Sequence, residues 1–201
     1  VTLDLFDRPS TADTGERSAF DLYETPVWMT AALLHHHPIL GGEKLRPVVF
    51  EPCVGDGAIA HALTRAGCRV ITNDIDPRHQ AELHQDARQL AVWSEPILAD
   101  VDWVISNTTF SDAFEILEQA ERLARVGVAF LLRKTFLEPT KERGAWLSIH
   151  PPTRIIGLQR HRFRGKGQDS VSCDWCIWER KPNRALPPIV IDHHSKKRRI
   201  A

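Results

Sequence analysis

Residues 47–76 read PVVFEPCVGDGAIAHALTRAGCRVITNDID, and the fold is decided there. PVVFE (47–51) is a short apolar, β-branched run of the kind that forms a strand buried on both faces. AIAHALTRA (58–66) carries a helical apolar period and is closed by Gly67. CRVITND (68–74) is the next strand. Strand, helix and strand in this order form a βαβ unit, with parallel strands and a right-handed crossover.

The same alternation continues outward. Ahead of it, PVWMTAALLHHH (26–37) starts a helix with Pro26 at a favourable first position. Behind it, LHQDA (83–87) reads as a brief third strand and DWVISN (102–107) as a clear one. A helix follows from about Asp112 to Arg125, then the fully apolar strand VGVAFLLR (126–133) and a short helix from Lys141 to Ile149. RIIGLQR (154–160) and SVSCDWCIWER (170–180) are the last strands. The polar loop between them has no room for a helix, so they pair antiparallel. The expectation is an α/β fold: a mostly parallel sheet, helices on both faces, and an antiparallel C-terminal hairpin at one edge. Residues 1–19 form an N-terminal extension, 20–180 the domain, and 181–201 a basic tail, partly extended or disordered.

The 201 residues are 42% hydrophobic and 26% charged, ordinary globular usage for one sizeable domain. No run is long and apolar enough to span a membrane, and the first residues lack a secretory pattern, which points to a cytoplasmic protein. The net charge is zero, yet residues 154–201 hold twelve Lys or Arg against four Asp or Glu. Such asymmetry suits either a surface facing a polyanion or a merely solvated tail. Of the four cysteines only Cys173 and Cys176 form a C-x-x-C pair, and three-residue spacing on a strand sends them to opposite faces. No second pair exists, and His35, His36 and His37 lack acidic or Cys partners, so no metal is expected.

The loops after the strands carry the chemistry, since ligands of open α/β sheets bind at the carboxyl ends of strands. Glu51 to Gly57 reads EPCVGDG: Gly55 and Gly57 permit tight turns and close approach of a ligand. Glu51 and Asp56 would repel phosphate and suit a cationic or hydroxyl-rich ligand. A lone G-x-G is equally consistent with a purely structural turn. Asp74 and Asp76, about 20 residues past the glycines, suit ribose hydroxyls; taken singly, Asp76 caps the next segment and Asp74 is solvated. After the next strand, Asn107 and Phe110 could grip a flat amine-bearing ring, or be a turn Asn and a core Phe.

The order YETP (23–26), EPCVGDGAI (51–59), NDID (73–76) and ISNTTF (105–110) resembles a class I S-adenosylmethionine-dependent methyltransferase. Within that class it is similar to the N6-adenine DNA methyltransferases of phage and prophage type, over about residues 20–180. The resemblance implies a Rossmann-like three-layer sandwich with a seven-stranded, mostly parallel sheet. It implies S-adenosyl-L-methionine as cofactor, with Tyr23, Thr25 and Pro26 closing over its methionine part. Glu51 would help hold the cationic end, Gly55 and Gly57 would admit it, and Asp74 would bind the ribose. Ile75 would lie against the adenine and Asp86 would read the adenine amine.

At the catalytic motif the family has Asn or Asp, two prolines and an aromatic; here Thr108 and Thr109 stand for both prolines. The amide oxygen of Asn107 and the carbonyl of Thr108 would accept the two N–H bonds of an exocyclic amine. Phe110 would stack on a base flipped from double-stranded DNA. Proline fixes its own φ and restrains the residue before it, so Thr108 and Thr109 imply a less stiff turn. Arg160, Arg162, Arg164 and Lys166 in the hairpin loop would neutralise phosphates. No stretch remains for a separate target-recognition domain, so weak specificity, a short context read by loops, or a partner subunit is expected. The alternatives are a catalytically impaired protein that binds cofactor or DNA, and amine methylation of RNA or of protein glutamine.

Overall fold

The structure, a computed structural model, describes residues 25–37, 39, 46–138, 140–162 and 170–192. In chain order the elements are α1 (Val27–His36), β1 (Val48–Glu51), α2 (Ala58–Arg65), β2 (Arg69–Thr72), β3 (Trp103–Ser106), α3 (Ala113–Leu123), β4 (Gly127–Arg133), α4 (Lys141–Ile149), β5 (Arg154–Gly157), β6 (His161–Arg162), β7 (Ser170–Val171), β8 (Cys173–Glu179) and β9 (Ile189–Ile191).

Seven strands form one sheet in the order β2-β1-β3-β4-β8-β5-β9, and β6 pairs with β7 as a separate ladder. β1 is parallel to both β2 and β3, and β3 to β4. β8 is antiparallel to β4 along its whole length and antiparallel to β5. The expected antiparallel strand near the C-terminus is therefore present, inserted between two strands of the opposite direction.

Two apolar clusters fill the space on either side of the sheet. Met29 and Leu33 of α1 and Ile59 and Leu63 of α2 pack on Val49, Ile105, Leu131 and Trp175. On the other face Ala113, Ile116, Leu117 and Ala120 of α3 pack on Val104, Phe130 and Leu132. Those α3 positions recur at the 3, 4 and 7 spacing of one helical face, which is why this segment forms an amphipathic helix. β3 and β4 are buried on both faces, as parallel strands between helical layers are. Cys173 and Cys176 fall into opposite clusters. The fully buried Trp175 satisfies its indole N–H by donating to the Met29 carbonyl at 2.7 Å.

Two expectations change. The brief strand at 83–87 is reduced to a single parallel bridge between Asn73 and Leu83. The physical reason is the buried side chain of Asn73. Its Nδ2 donates to the carbonyls of Pro52 and Gln85, and its Oδ1 accepts the Gln85 N–H at 3.0 Å. One amide thus consumes the groups a strand ladder would have used. The seventh strand comes instead from β9, inside the stretch read as tail, which pairs parallel with β5. It is an edge strand, where the preceding Pro187 and Pro188 cost no ladder bond.

Candidate active site

The strand order reverses between β2-β1 and β1-β3, and the crevice beyond the carboxyl ends of β1 and β3 is where such sheets bind ligands. A cavity of about 360 Å³ lies there, within the range of small-molecule sites. Each wall comes from a strand end. β1 delivers Glu51 and the loop to Asp56; β2 delivers Asp74 and Ile75; β3 delivers Asn107 to Thr109; the chain entering α1 adds Thr25.

The glycine loop turns through the left-handed region twice, at Gly55 (φ 52°) and Gly57 (φ 79°). Gly57 is the residue before α2, so the loop feeds directly into that helix. Side chains with a Cβ rarely adopt these angles. Asp74 ties this loop to the end of β2: its Oδ2 accepts the Gly55 N–H and its Oδ1 the Asp76 N–H, both at 2.8 Å. His79 Nδ1 lies 3.2 Å from the same carboxylate. Asp76 instead grips Arg78, whose hydrogen bonds hold its carboxyl down at about 2; it acts as a cap rather than as a cavity wall.

Glu51 is 1% exposed. Burial pushes its carboxyl well above the usual range; the Ala60 N–H pulls it back in part, and neighbouring Asp74 pushes it further up. Among the described residues its Oε2 has no hydrogen-bond partner. A buried carboxylate with an unused oxygen on a cavity wall is a site for a cation or a hydrogen-bond donor. Asp86 is also on the wall, held below its ordinary range first by hydrogen bonds from Arg88. Ile75 presents an apolar side chain that is 44% exposed. Burial pushes the Cys53 thiol far up, so it is no nucleophile here.

Asn107 donates from Nδ2 to Thr25 Oγ1 at 3.0 Å, joining the end of β3 to the start of α1. Thr109 donates from Oγ1 to Asp112 Oδ2 at 2.8 Å, just ahead of α3. Thr108 is buried.

The structure thus gathers Thr25, Glu51, Gly55, Asp74, Ile75, Asp86, Asn107, Thr108 and Thr109 around one cavity. Pro26, Gly57 and Phe110 do not line it. Phe110 packs beside the α1-face cluster, with the Arg133 guanidinium 4.1 Å from its ring centre. Arg160 is exposed beyond the carboxyl end of β5, on the cavity's side of the sheet but not in its wall. Arg162 belongs to β6 by its backbone. Tyr23, Arg164 and Lys166 lie outside the described residues. His79, Arg88, Asp112 and Arg133 border this region without having been singled out in the sequence. Arg133 alone had a signal, since it ends a parallel strand on the ligand side. Among the described residues no group of three or more His, Cys, Asp or Glu converges as a metal site. No helix there is long and apolar enough to cross a membrane.

No family model and no curated protein matches this chain. Solved structures do. One is a candidate class I S-adenosylmethionine-dependent methyltransferase from Listeria monocytogenes, 16% identical with a TM-score of 0.56, covering 83% of this chain and 64% of that one. A type I restriction-modification system methyltransferase subunit from Streptococcus thermophilus is 14% identical with a TM-score of 0.61, covering 87% and 52%. A candidate RNA methyltransferase from Pyrococcus horikoshii is 15% identical with a TM-score of 0.56, covering 82% and 88%. The chain therefore spans between about half and two-thirds of the length of the first two. Mixed sheet, switch-point cavity and these likenesses together lead to one statement: the chain has the Rossmann-like fold of class I S-adenosylmethionine-dependent methyltransferases.

Proposed function

We propose that the protein is an S-adenosylmethionine-dependent methyltransferase acting on the N6 amine of adenine in DNA. The observation that carries this reading is that Asn107 and Glu51, from the ends of adjacent strands, line one cavity. The residues fit the cofactor. The spare oxygen of Glu51 suits the ammonium of its methionine end, Gly55 admits its backbone-hugging part, and Ile75 offers a face for its adenine. Asp74 would receive the ribose hydroxyls alongside the N–H groups it already binds, and Asp86 the adenine amine. When bound, the cofactor supplies an electrophilic methyl group on a sulfonium.

The acceptor side is the work of the chain. An exocyclic amine is a weak nucleophile because its lone pair is delocalised into the ring. Asn107 Oδ1 and the Thr108 carbonyl would accept its two N–H bonds and favour a pyramidal nitrogen. Placement and preorganised acceptors of this kind supply several kcal/mol. Phe110, on the same rim, would stack on the flipped base. The restriction-modification subunit among the similar structures supports DNA as acceptor, and the basic Arg160 supports a polyanion.

A second reading follows from Arg133 over Phe110. That ring face is covered by a cation, which favours a protein that binds cofactor and nucleic acid and transfers the methyl slowly, or to another acceptor. The deciding experiment is mass spectrometry of nucleosides from DNA incubated with the protein and S-adenosylmethionine, with RNA and a glutamine-bearing protein in parallel. N6-methyldeoxyadenosine is expected. Its absence, in protein shown to bind the cofactor, sinks the adenine reading.

A further inference from the structure

The segment Asn107 to Phe110 has no proline, yet both of its flanks are tied to residues outside it. Asn107 Nδ2 donates to Thr25 Oγ1 at 3.0 Å, across 82 positions of sequence. Thr109 Oγ1 donates to Asp112 Oδ2 at 2.8 Å. Thr25 is only 8% exposed, so its end of the first bond is largely shielded from competing water. We propose that Thr25 and Asp112 are positioning residues that hold this turn by hydrogen bonding in place of the two prolines. The proposal rests on the reading of Asn107 as the residue that receives the acceptor amine.

A carboxamide has a donor end and an acceptor end of nearly equal size. An amine can use only the oxygen, so a half-turn of the side chain would set donor against donor. Thr25 holds the nitrogen and thereby keeps Oδ1 on the opposite branch. The Thr109 hydroxyl donates to Asp112 Oδ2, and that bond fixes its rotamer. Asp112 is itself faced by Arg88 at 4.0 Å. Proline restrains a turn through its own φ; here the restraint is applied from α1 and from the start of α3.

The test reads geometry and rate separately. Hydrogen exchange of the Asn107 side-chain amide, followed by NMR, reports whether Thr25 holds it. Thr25→Val should speed that exchange and lower methyl transfer at saturating cofactor by about 100-fold, the scale of an ångström misplacement. Thr25→Ser, which keeps the hydroxyl, should restore both to within about twofold. Asp112→Ala should slow transfer about tenfold, the size of one hydrogen bond. In a Thr108→Pro/Thr109→Pro background the same change should cost nothing, because the prolines already restrain the turn. Unchanged exchange and rate in Thr25→Val overturn the proposal, as does an equal Asp112→Ala cost in both backgrounds. Protection that depends on the Thr25 hydroxyl, in a protein that methylates no amine, supports the positioning and sinks the functional reading alone.

Discussion

The Asp74 carboxylate accepts the Gly55 N–H at 2.8 Å, so the loop after β1 and the turn after β2 are one hydrogen-bonded unit. The second oxygen accepts the Asp76 N–H. Asp74→Ala leaves two backbone donors without their partner. We expect a loss of about 1–3 kcal/mol in stability, seen as a lower urea midpoint at unchanged slope. Cofactor affinity, measured by calorimetry, should fall at least about tenfold. A variant as stable as the parent would show that the carboxylate is not what joins the two loops.

Glu51 makes stability and cofactor binding depend on pH in opposite senses. Burial raises its carboxyl well above the ordinary range in the folded protein. Its contribution to stability is therefore complete below the unfolded value of about 4.3 and is lost as pH rises through the folded value. Glu51→Gln has no such loss. It should melt higher than the parent at neutral and alkaline pH, with the gap closing in acid. Cofactor affinity should run the other way, tightening as pH rises, because an ammonium favours the carboxylate. Proton release on binding is expected, read as a binding heat that differs between phosphate and Tris buffers. Glu51→Gln should bind without it.

Phe110 lies outside the cavity wall, so its loss should separate the acceptor from the cofactor. Stacking of a base on an aromatic ring amounts to about 1–3 kcal/mol. Phe110→Leu should raise the KM for an oligonucleotide about tenfold or more and leave the cofactor Kd as it was. Equal losses of both would mean that Phe110 supports the fold instead.

Gly127 starts β4 at the end of the sheet away from the cavity. A Cβ there would sit 2.5 Å from the Trp178 carbonyl and 2.7 Å from the Trp103 ring. Neither can yield easily, one being backbone and the other a buried ring. Gly127→Ala should cost about 1–3 kcal/mol and lower Tm by roughly 2–4 °C per kcal/mol. Activity per folded molecule should hold. A calorimetric scan with a parallel rate measurement tests both halves.

The parts of the fold legible in the sequence are those with a local cause. β1 to β4 announce themselves as apolar β-branched runs, and α3 by the spacing of Ala113, Ile116, Leu117 and Ala120. The segment at 83–87 misled because its organiser is remote: the Asn73 side chain holds Gln85 across twelve residues. β9 hid behind Pro187 and Pro188, which are harmless only because the strand is at an edge. In the site, the residues at strand ends could be placed by the rule that such ends converge. The Asn107–Thr25 bond could not, since nothing in either segment specifies an encounter 82 positions apart. Arg133 over Phe110 was missed for the same reason.

The direction of β9 is set by two reversals in the sheet. β8 reverses the sheet and β5 reverses it again, so β9 runs the same way as β1, β3 and β4. An even number of reversals brings Asp192 out on the side where the cavity opens; an odd number would have released the chain at the opposite rim. The two reversals therefore bring Asp192, the last described residue, to the same side of the sheet as the ends of β1 and β3.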